Sequence, residues 1–296
     1  MQIFLTGATG FIGSAIAAEL ISAGHQVLGL TRSQAGARKL EAAGAVAHFG
    51  DITDLDSLRQ GAEACDGVIH TAFDHNFAQF AENCQKDARA IEALGAPLRG
   101  SARPLVFASS TAMGTPQPNG PAREDTFNSL SLNPRVASER AGNALLERGV
   151  NVSVVRLSQI HNTHKQGLVT DVIDLAWHKG VSGFVESGEN PWSATHLDDA
   201  ARLFRLALEK AHCGARYHAT DEGAIEFRDI AAAIGTYLGV PTISVPQSES
   251  AAHFGWLAAF VGKDMSAISN ETRATLGWAP KGPGLLADIA NMRIKG

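Results

Sequence analysis

Short apolar runs recur through the first half of the chain, each followed by a stretch with helical spacing. The runs fall at 3–5, 27–30, 46–49, 68–69, 105–107 and 152–155, and the helical stretches at 11–23, 35–43, 54–64, 77–94 and 134–148. Brief apolar strands separated by helices predict βαβ units and a doubly wound parallel sheet. Gly24, Gly44 and Gly149 sit where helix C-terminal caps belong. Beyond residue 156 the alternation loosens. Helices are expected at 169–179, 198–211, 228–238, 250–261 and 270–276, with extended pieces at 217–219 and 242–245. The division this predicts is residues 1–157 as one domain and 158–296 as a smaller mixed α/β lobe packed on it. No Pro-, Gly- or Ser-rich linker stands between them, and no solenoid repeat or low-complexity tract is present.

The loop after the first run carries the first chemistry. Thr6-Gly7-Ala8-Thr9-Gly10-Phe11-Ile12-Gly13 joins a strand to a helix and spaces its glycines as G-x-x-G-x-x-G. Such a loop turns sharply, lets backbone N–H groups approach a pyrophosphate, and places the phosphate charge on a helix N-terminus. The spacing differs by one residue from the dinucleotide fingerprint, but the strand–loop–helix context is the same. Gly7, Thr9, Gly10, Phe11, Ile12 and Gly13 are therefore candidate cofactor residues in a Rossmann-type sheet. The end of the second strand selects the cofactor. An NAD site places an acid there for the ribose 2′-OH, whereas this chain has Thr31-Arg32-Ser33. A guanidinium fork beside hydroxyls suits a 2′-phosphate, so NADP is expected ahead of NAD.

Composition narrows the classes of partner. With 25 Lys+Arg against 30 Asp+Glu the net charge is −5, which disfavours nucleic-acid binding through a basic surface. No apolar stretch approaches the roughly 20 residues a membrane span needs, and the N-terminus lacks the charged and apolar regions of a signal peptide. Three cysteines, Cys65, Cys84 and Cys213, provide neither a disulfide framework nor metal-ligand spacing. A cytoplasmic protein with a small-molecule substrate and no metal is expected, and a homodimer is left open.

In order along the chain, these landmarks resemble the short-chain dehydrogenase/reductase superfamily, in its extended or atypical branch, which includes the NAD-dependent epimerase/dehydratase group. TGATGFIG resembles its cofactor loop. Gly50-Asp51-Ile52 resembles the motif after the third strand, so Asp51 and Ile52 are implied at the adenine. Ile69-His70-Thr71-Ala72 resembles the fourth-strand end along the cofactor, which implies Thr71, Ala72 and the following Phe73. Val106 to Gly114 resembles the segment with the active-site serine, placing it at Ser109 with Ser110 beside it. Arg156-Leu157-Ser158-Gln159-Ile160-His161 resembles the segment at the nicotinamide end, and His196 to Ala201 a motif opening a C-terminal helix.

The family's Tyr-x-x-x-Lys pair is missing. Aligned on the following helix, Arg135 takes the tyrosine's place and Glu139 the lysine's, while Tyr217 and Tyr237 lie far along the chain. A guanidinium does not give up its proton near neutrality, so Arg135 cannot act as the tyrosine does. It either clamps an oxyanion of the substrate or forms an i,i+4 ion pair with Glu139, the ion pair being the simpler reading. His161 is the leading alternative proton donor, ahead of His196. Trp192, Phe254 and Trp256 read first as core and second as pocket lining, and 250–257 as an amphipathic helix that could form a lid.

Two functions follow. The first is an NADP-dependent oxidoreductase that passes hydride to or from a small carbonyl, alcohol or activated C=C compound, with Ser109, Arg135 and His161 as its candidate catalytic residues. Within it, an epimerase or dehydratase that recycles its cofactor is disfavoured by the missing acid/base. The second is a non-catalytic sensor that binds NADP without turning it over.

Overall fold

A computed structural model of the chain describes residues 1–116 and 120–293. The first half alternates strand and helix: β1 (Gln2–Thr6), α1 (Phe11–Ser22), β2 (Gln26–Thr31), α2 (Gln34–Ala42), β3 (Val46–Phe49), α3 (Leu55–Glu63), β4 (Gly67–His70), α4 (Phe80–Gly95), β5 (Pro104–Ser110), α5 (Val136–Glu147) and β6 (Asn151–Leu157). The six strands are parallel and lie in the order β6-β5-β4-β1-β2-β3. The order reverses between β1 and β4, and in such sheets a ligand binds outside the carboxyl ends of the strands at that point. Gly24, Gly44 and Gly149 follow α1, α2 and α5 with positive φ and close those helices as the sequence predicts.

Both faces of the sheet are covered, which is why its strands are apolar throughout. Side chains alternate along a strand, so Ile3 and Leu5 face one side with Ile16, Leu20, Val106 and Phe204, while Phe4 faces the other with Leu58, Ile91, Phe107 and Leu145.

The second half contains β7 (Gln159–Asn162), β8 (Lys165–Gln166), α6 (Leu168–Lys179), β9 (Ser182–Val185), β10 (Pro191–His196), α7 (Leu197–Lys210), β11 (Arg216–Ala219), β12 (Glu222–Glu226), α8 (Phe227–Leu238) and β13 (Thr242–Val245). The chain returns to the first sheet over α7 and β11. The strand β11 pairs parallel with β6 as a seventh strand, and α7 buries Phe204 and Leu208 in the cluster that holds Ile16 and Leu20 of α1. The other strands form a mixed sheet, β12-β10-β7-β8, and a parallel pair, β13-β9. Trp192 and Phe254 are buried in the core of this lobe with Val172 and Phe227, and Trp192 lies against the Phe227 ring at 4.8 Å.

The single helix expected at 250–261 is broken. Helical pieces Ser250–Phe254 and Ala258–Val261 flank a 3₁₀ turn that starts at Gly255, whose φ of +57° interrupts the helix. Among the described residues no helix is long and apolar enough to cross a membrane.

Candidate functional site

The glycine loop leaves β1 at Thr6 and presses on the end of β4. Gly7 has φ +72°, and a Cβ there would lie 2.7 Å from the Ala72 nitrogen and 2.8 Å from Thr71 Oγ1, so only glycine fits. A Cβ on Gly13 would run into the Gly7 carbonyl. The Gly10 N–H donates to the Gly7 carbonyl at 2.9 Å and closes the turn. Thr71 Oγ1 donates to the Thr6 carbonyl at 2.9 Å, and the Ala72 N–H donates to Thr6 Oγ1 at 3.3 Å. Thr9 and Gly10 are exposed, Phe11 and Ile12 half-buried. Gly10 caps α1 without a side-chain bond, and the first turn holds no acid. A first turn with no side-chain cap and no acid is of the kind that suits a phosphate.

Beside this loop, Thr31 is buried at the end of β2 and bonds the backbone of Ser33. Ser33 Oγ accepts from the Gly36 N–H at 3.1 Å and caps α2, leaving its own hydroxyl hydrogen to donate. Arg32 is 81% exposed, with Nη1 3.6 Å from Asp51 Oδ2. Asp51 Oδ1 is already engaged by the Thr53 N–H and hydroxyl at 2.9 and 2.8 Å. An acid from the segment after β3 thus stands beside Arg32 as its counter-ion. Ile52 is half-buried against the core.

At the carboxyl ends of β4 and β5, Ser109 and Ser110 differ. Ser110 Oγ accepts from the Ala112 N–H at 3.3 Å and caps the turn that follows. Ser109 Oγ is buried and, among the described residues, has no hydrogen-bond partner. One residue before it, the Ala108 carbonyl accepts from Arg135 Nη2 at 2.8 Å. The Arg135 guanidinium also lies 4.1 Å over the Phe73 ring and donates through Nη1 to Asp87 Oδ2 at 2.9 Å.

The ion pair expected between Arg135 and Glu139 does not form. Arg135 and Ser138 share Asp87, Ser138 Oγ donating to Oδ2 at 2.5 Å. Glu139, one residue past Ser138 and about 100° from it round the helix, turns inward to Arg156, whose Nε and Nη2 donate to its two carboxylate oxygens at 2.9 and 2.8 Å. Both members of that pair are buried.

Asp87 and its third partner, His70, are not among the site residues the sequence predicts. His70 Nε2 meets Asp87 Oδ1 at 3.1 Å, and Nδ1 meets Thr6 Oγ1 at 2.6 Å. Burial alone would raise the Asp87 pKa, but Arg135, His70 and Ser138 outweigh it and hold the carboxyl below its usual range. A signal did exist in α4. Cys84, Asp87, Ile91 and Leu94 share the buried stripe, and an acid on an apolar face must have a partner.

His161 is grouped elsewhere. It is buried on β7, its Nδ1 2.7 Å from Asp288 Oδ2 on the helix Leu285–Ala290, and its ring 5.8 Å from that of His196. Its Nε2 is buried without a partner among the described residues. Burial lowers its pKa, and Asp288 opposes that shift. The hairpin of β7 and β8 nevertheless leans on the glycine loop, with Lys165 5.8 Å over the Phe11 ring. Neither tyrosine joins the strand ends. Tyr217 is buried in β11, and the Tyr237 hydroxyl donates to the Met292 carbonyl at 2.9 Å.

A family model described as the NAD dependent epimerase/dehydratase family matches residues 3–219. An uncharacterized protein of Schizosaccharomyces pombe is 43% identical over 304 residues, covering 98% of this chain and 99% of its own. The sterol-4-alpha-carboxylate 3-dehydrogenase, decarboxylating, of Dictyostelium discoideum is 26% identical over 247 residues, 77% of this chain and 73% of its own. Among solved structures, a dTDP-glucose 4,6-dehydratase from Streptomyces venezuelae with NAD and TYD bound superposes with a TM-score of 0.78. It covers 99% of this chain and 95% of its own at 18% identity, a likeness of fold alone.

Proposed function

The chain belongs to the NAD dependent epimerase/dehydratase family, and from that premise we propose that it is an NADP(H)-dependent oxidoreductase acting on a small organic carbonyl, alcohol or activated C=C compound. The observation that carries the reading is the Ser109 hydroxyl, buried and unpartnered at the carboxyl end of β5, one residue from the carbonyl that holds Arg135. A buried hydroxyl without a partner is costly, and a substrate oxygen would relieve it.

When bound, the nicotinamide would supply or accept the hydride. The chain's own part is to hold and polarise. The glycine loop and the uncapped start of α1 would hold the pyrophosphate, Thr71, Ala72 and Phe73 would line the path towards the nicotinamide, and Asp51 and Ile52 would flank the adenine. Arg32 would bind the 2′-phosphate, Ser33 adding a hydroxyl donor. Ser109 would donate to the substrate oxygen, and Arg135, held at the carbonyl one residue before it, would offer further N–H donors at the same edge of the sheet. His161 serves as proton source only if a substrate reaches its unpartnered Nε2. The dehydrogenase named among the relatives supports redox chemistry.

The test is direct. NADPH consumption is followed against a panel of carbonyl and activated alkene compounds, with binding measured by calorimetry. Arg32→Ala should weaken NADPH binding by about 1.5–3 kcal/mol, the range for hydrogen bonds to charged groups, and spare NADH. Ser109→Ala should abolish turnover while leaving NADPH affinity unchanged. Equal loss of both cofactors in the first variant would overturn the 2′-phosphate role. Tight binding with no turnover across the panel would favour the sensor, a reading helped by the neutralisation of Arg135 by Asp87.

A further inference from the structure

The molecule holds a buried polar chain that no expectation from the sequence called for. It starts at Thr6, the last residue before the glycine loop, and ends at Arg135, at the mouth of β5. The Thr6 hydroxyl accepts the Ala72 N–H and shares a hydrogen bond with His70 Nδ1 at 2.6 Å. Asp87 Oδ1 is a carboxylate oxygen and can only accept, so His70 Nε2 carries a hydrogen and donates to it. Asp87 Oδ2 accepts from Arg135 and Ser138. Every polar atom of the histidine and carboxylate thereby has a partner, which is the condition for keeping such groups buried.

Arg135 is pinned on three sides. Asp87 takes one terminal nitrogen, the Ala108 carbonyl the other, and Phe73 lies under the plane. Phe73 and Ala108 lie at the ends of β4 and β5, so the guanidinium stands at the carboxyl edge of the sheet, beyond the loop that faces the pyrophosphate. Of its five N–H groups two are occupied, leaving three as a rigid donor set. Its charge is matched by Asp87, so the pair is a poor trap for an anionic substrate and a good donor to neutral hydroxyls. A dinucleotide whose pyrophosphate rested on the loop would carry such a group beyond it, the diol of its second ribose. Glu139, aligned with the family's lysine, is committed to Arg156 and faces inward. Arg135 is the residue of this helix that can do the work of a cation there.

Resting on the dinucleotide reading, we propose that Asp87, with His70 and Thr6 behind it, is a positioning relay that fixes Arg135 as the donor to the nicotinamide-side ribose. Arg135 takes the cation's place in the motif rather than the tyrosine's, and Asp87 acts only through it.

The experiment compares two ligands by calorimetry on the full chain. NADPH carries both riboses, and adenosine 2′,5′-bisphosphate carries only the adenine half. Asp87→Asn and Arg135→Gln should each weaken NADPH by about tenfold or more, the loss of one good hydrogen-bonded contact, and leave the bisphosphate unchanged. Arg135→Lys should restore part of the loss. Arg32→Ala should weaken both ligands and serves as the opposite control. Should Asp87→Asn fail to fold, Arg135→Gln, at a partly exposed position, decides alone. Equal weakening of both ligands would reduce the relay to a structural role, and no weakening of either would remove it. In both cases the dinucleotide site survives. Failure of the unmodified protein to bind either ligand would instead bring down the dinucleotide reading and the relay with it.

Discussion

His218 shows how one buried residue sets the response of the protein to acid. It is fully buried in β11, its Nδ1–H donates to the Ile268 carbonyl at 2.8 Å, and its Nε2 lies 3.3 Å from Arg156 Nη1. A proton on Nε2 would abut a guanidinium. Burial, and then Arg156, push the ring pKa down to about 3 from 6.5. Below pH 6.5 the unfolded chain takes up a proton that the folded chain refuses. Stability is therefore complete above that pH and falls as the pH drops towards 3, by about 1.4 kcal/mol per pH unit. His218→Gln retains a donor and an acceptor and does not titrate. Its urea midpoint should fall less steeply than that of the unmodified protein between about pH 7 and pH 5; parallel slopes would refute this account.

Among the elements, α5 concentrates what the sequence could and could not disclose. Its existence and its Gly149 stop were legible from spacing, as were the glycine loop and the six alternating strands, because local propensity and the apolar period agree there. The partners of its charges were not. Arg135 and Glu139 stand four apart, which suggests a pair, yet Asp87 from α4 and Arg156 from β6 outcompete that contact because both lie in the interior, where a lone charge is costly. Only the assembled fold brings those elements together. The β7–β10 region escaped for a similar reason. Its strands are two to six residues long and carry buried polar groups such as Gln159 and His161, which blur the apolar period. The helix Leu285–Ala290, one and a half turns long, is too short to show one.

The Glu139–Arg156 pair also makes a prediction at this scale. Arg156 is fully buried and its Nη1 donates to the Arg123 and Thr126 carbonyls, so Glu139→Ala leaves a buried charge uncompensated and should cost about 3–5 kcal/mol in denaturant unfolding. Combining Glu139→Leu with Arg156→Met should recover most of that loss, and a double variant no more stable than Glu139→Ala would show that the carboxylate matters beyond its charge.

On the scale of the whole molecule, the first sheet is completed by chain that lies beyond residue 157. The strand β11 covers the β6 edge, and α7 seals one face against α1. Leu203, Phe204, Leu208 and Tyr217 enter the main core from these two elements. At about 1.5–3 kcal/mol per large side chain buried, their contribution is comparable to the whole stability of an ordinary domain. A fragment of residues 1–157 would expose that face and leave β6 as an unpaired apolar edge, the arrangement that invites aggregation. It should show no cooperative thermal transition, while the full chain melts in one. The family match runs from residue 3 to residue 219, the last residue of β11. The matched stretch therefore takes in the whole seven-stranded layer and α7, together with three of the four strands of the mixed sheet, β7, β8 and β10, which lie between β6 and α7, while the fourth, β12, follows β11. A cooperative melt of 1–157 at the temperature of the full chain would show that α7 and β11 are ornaments on a finished domain.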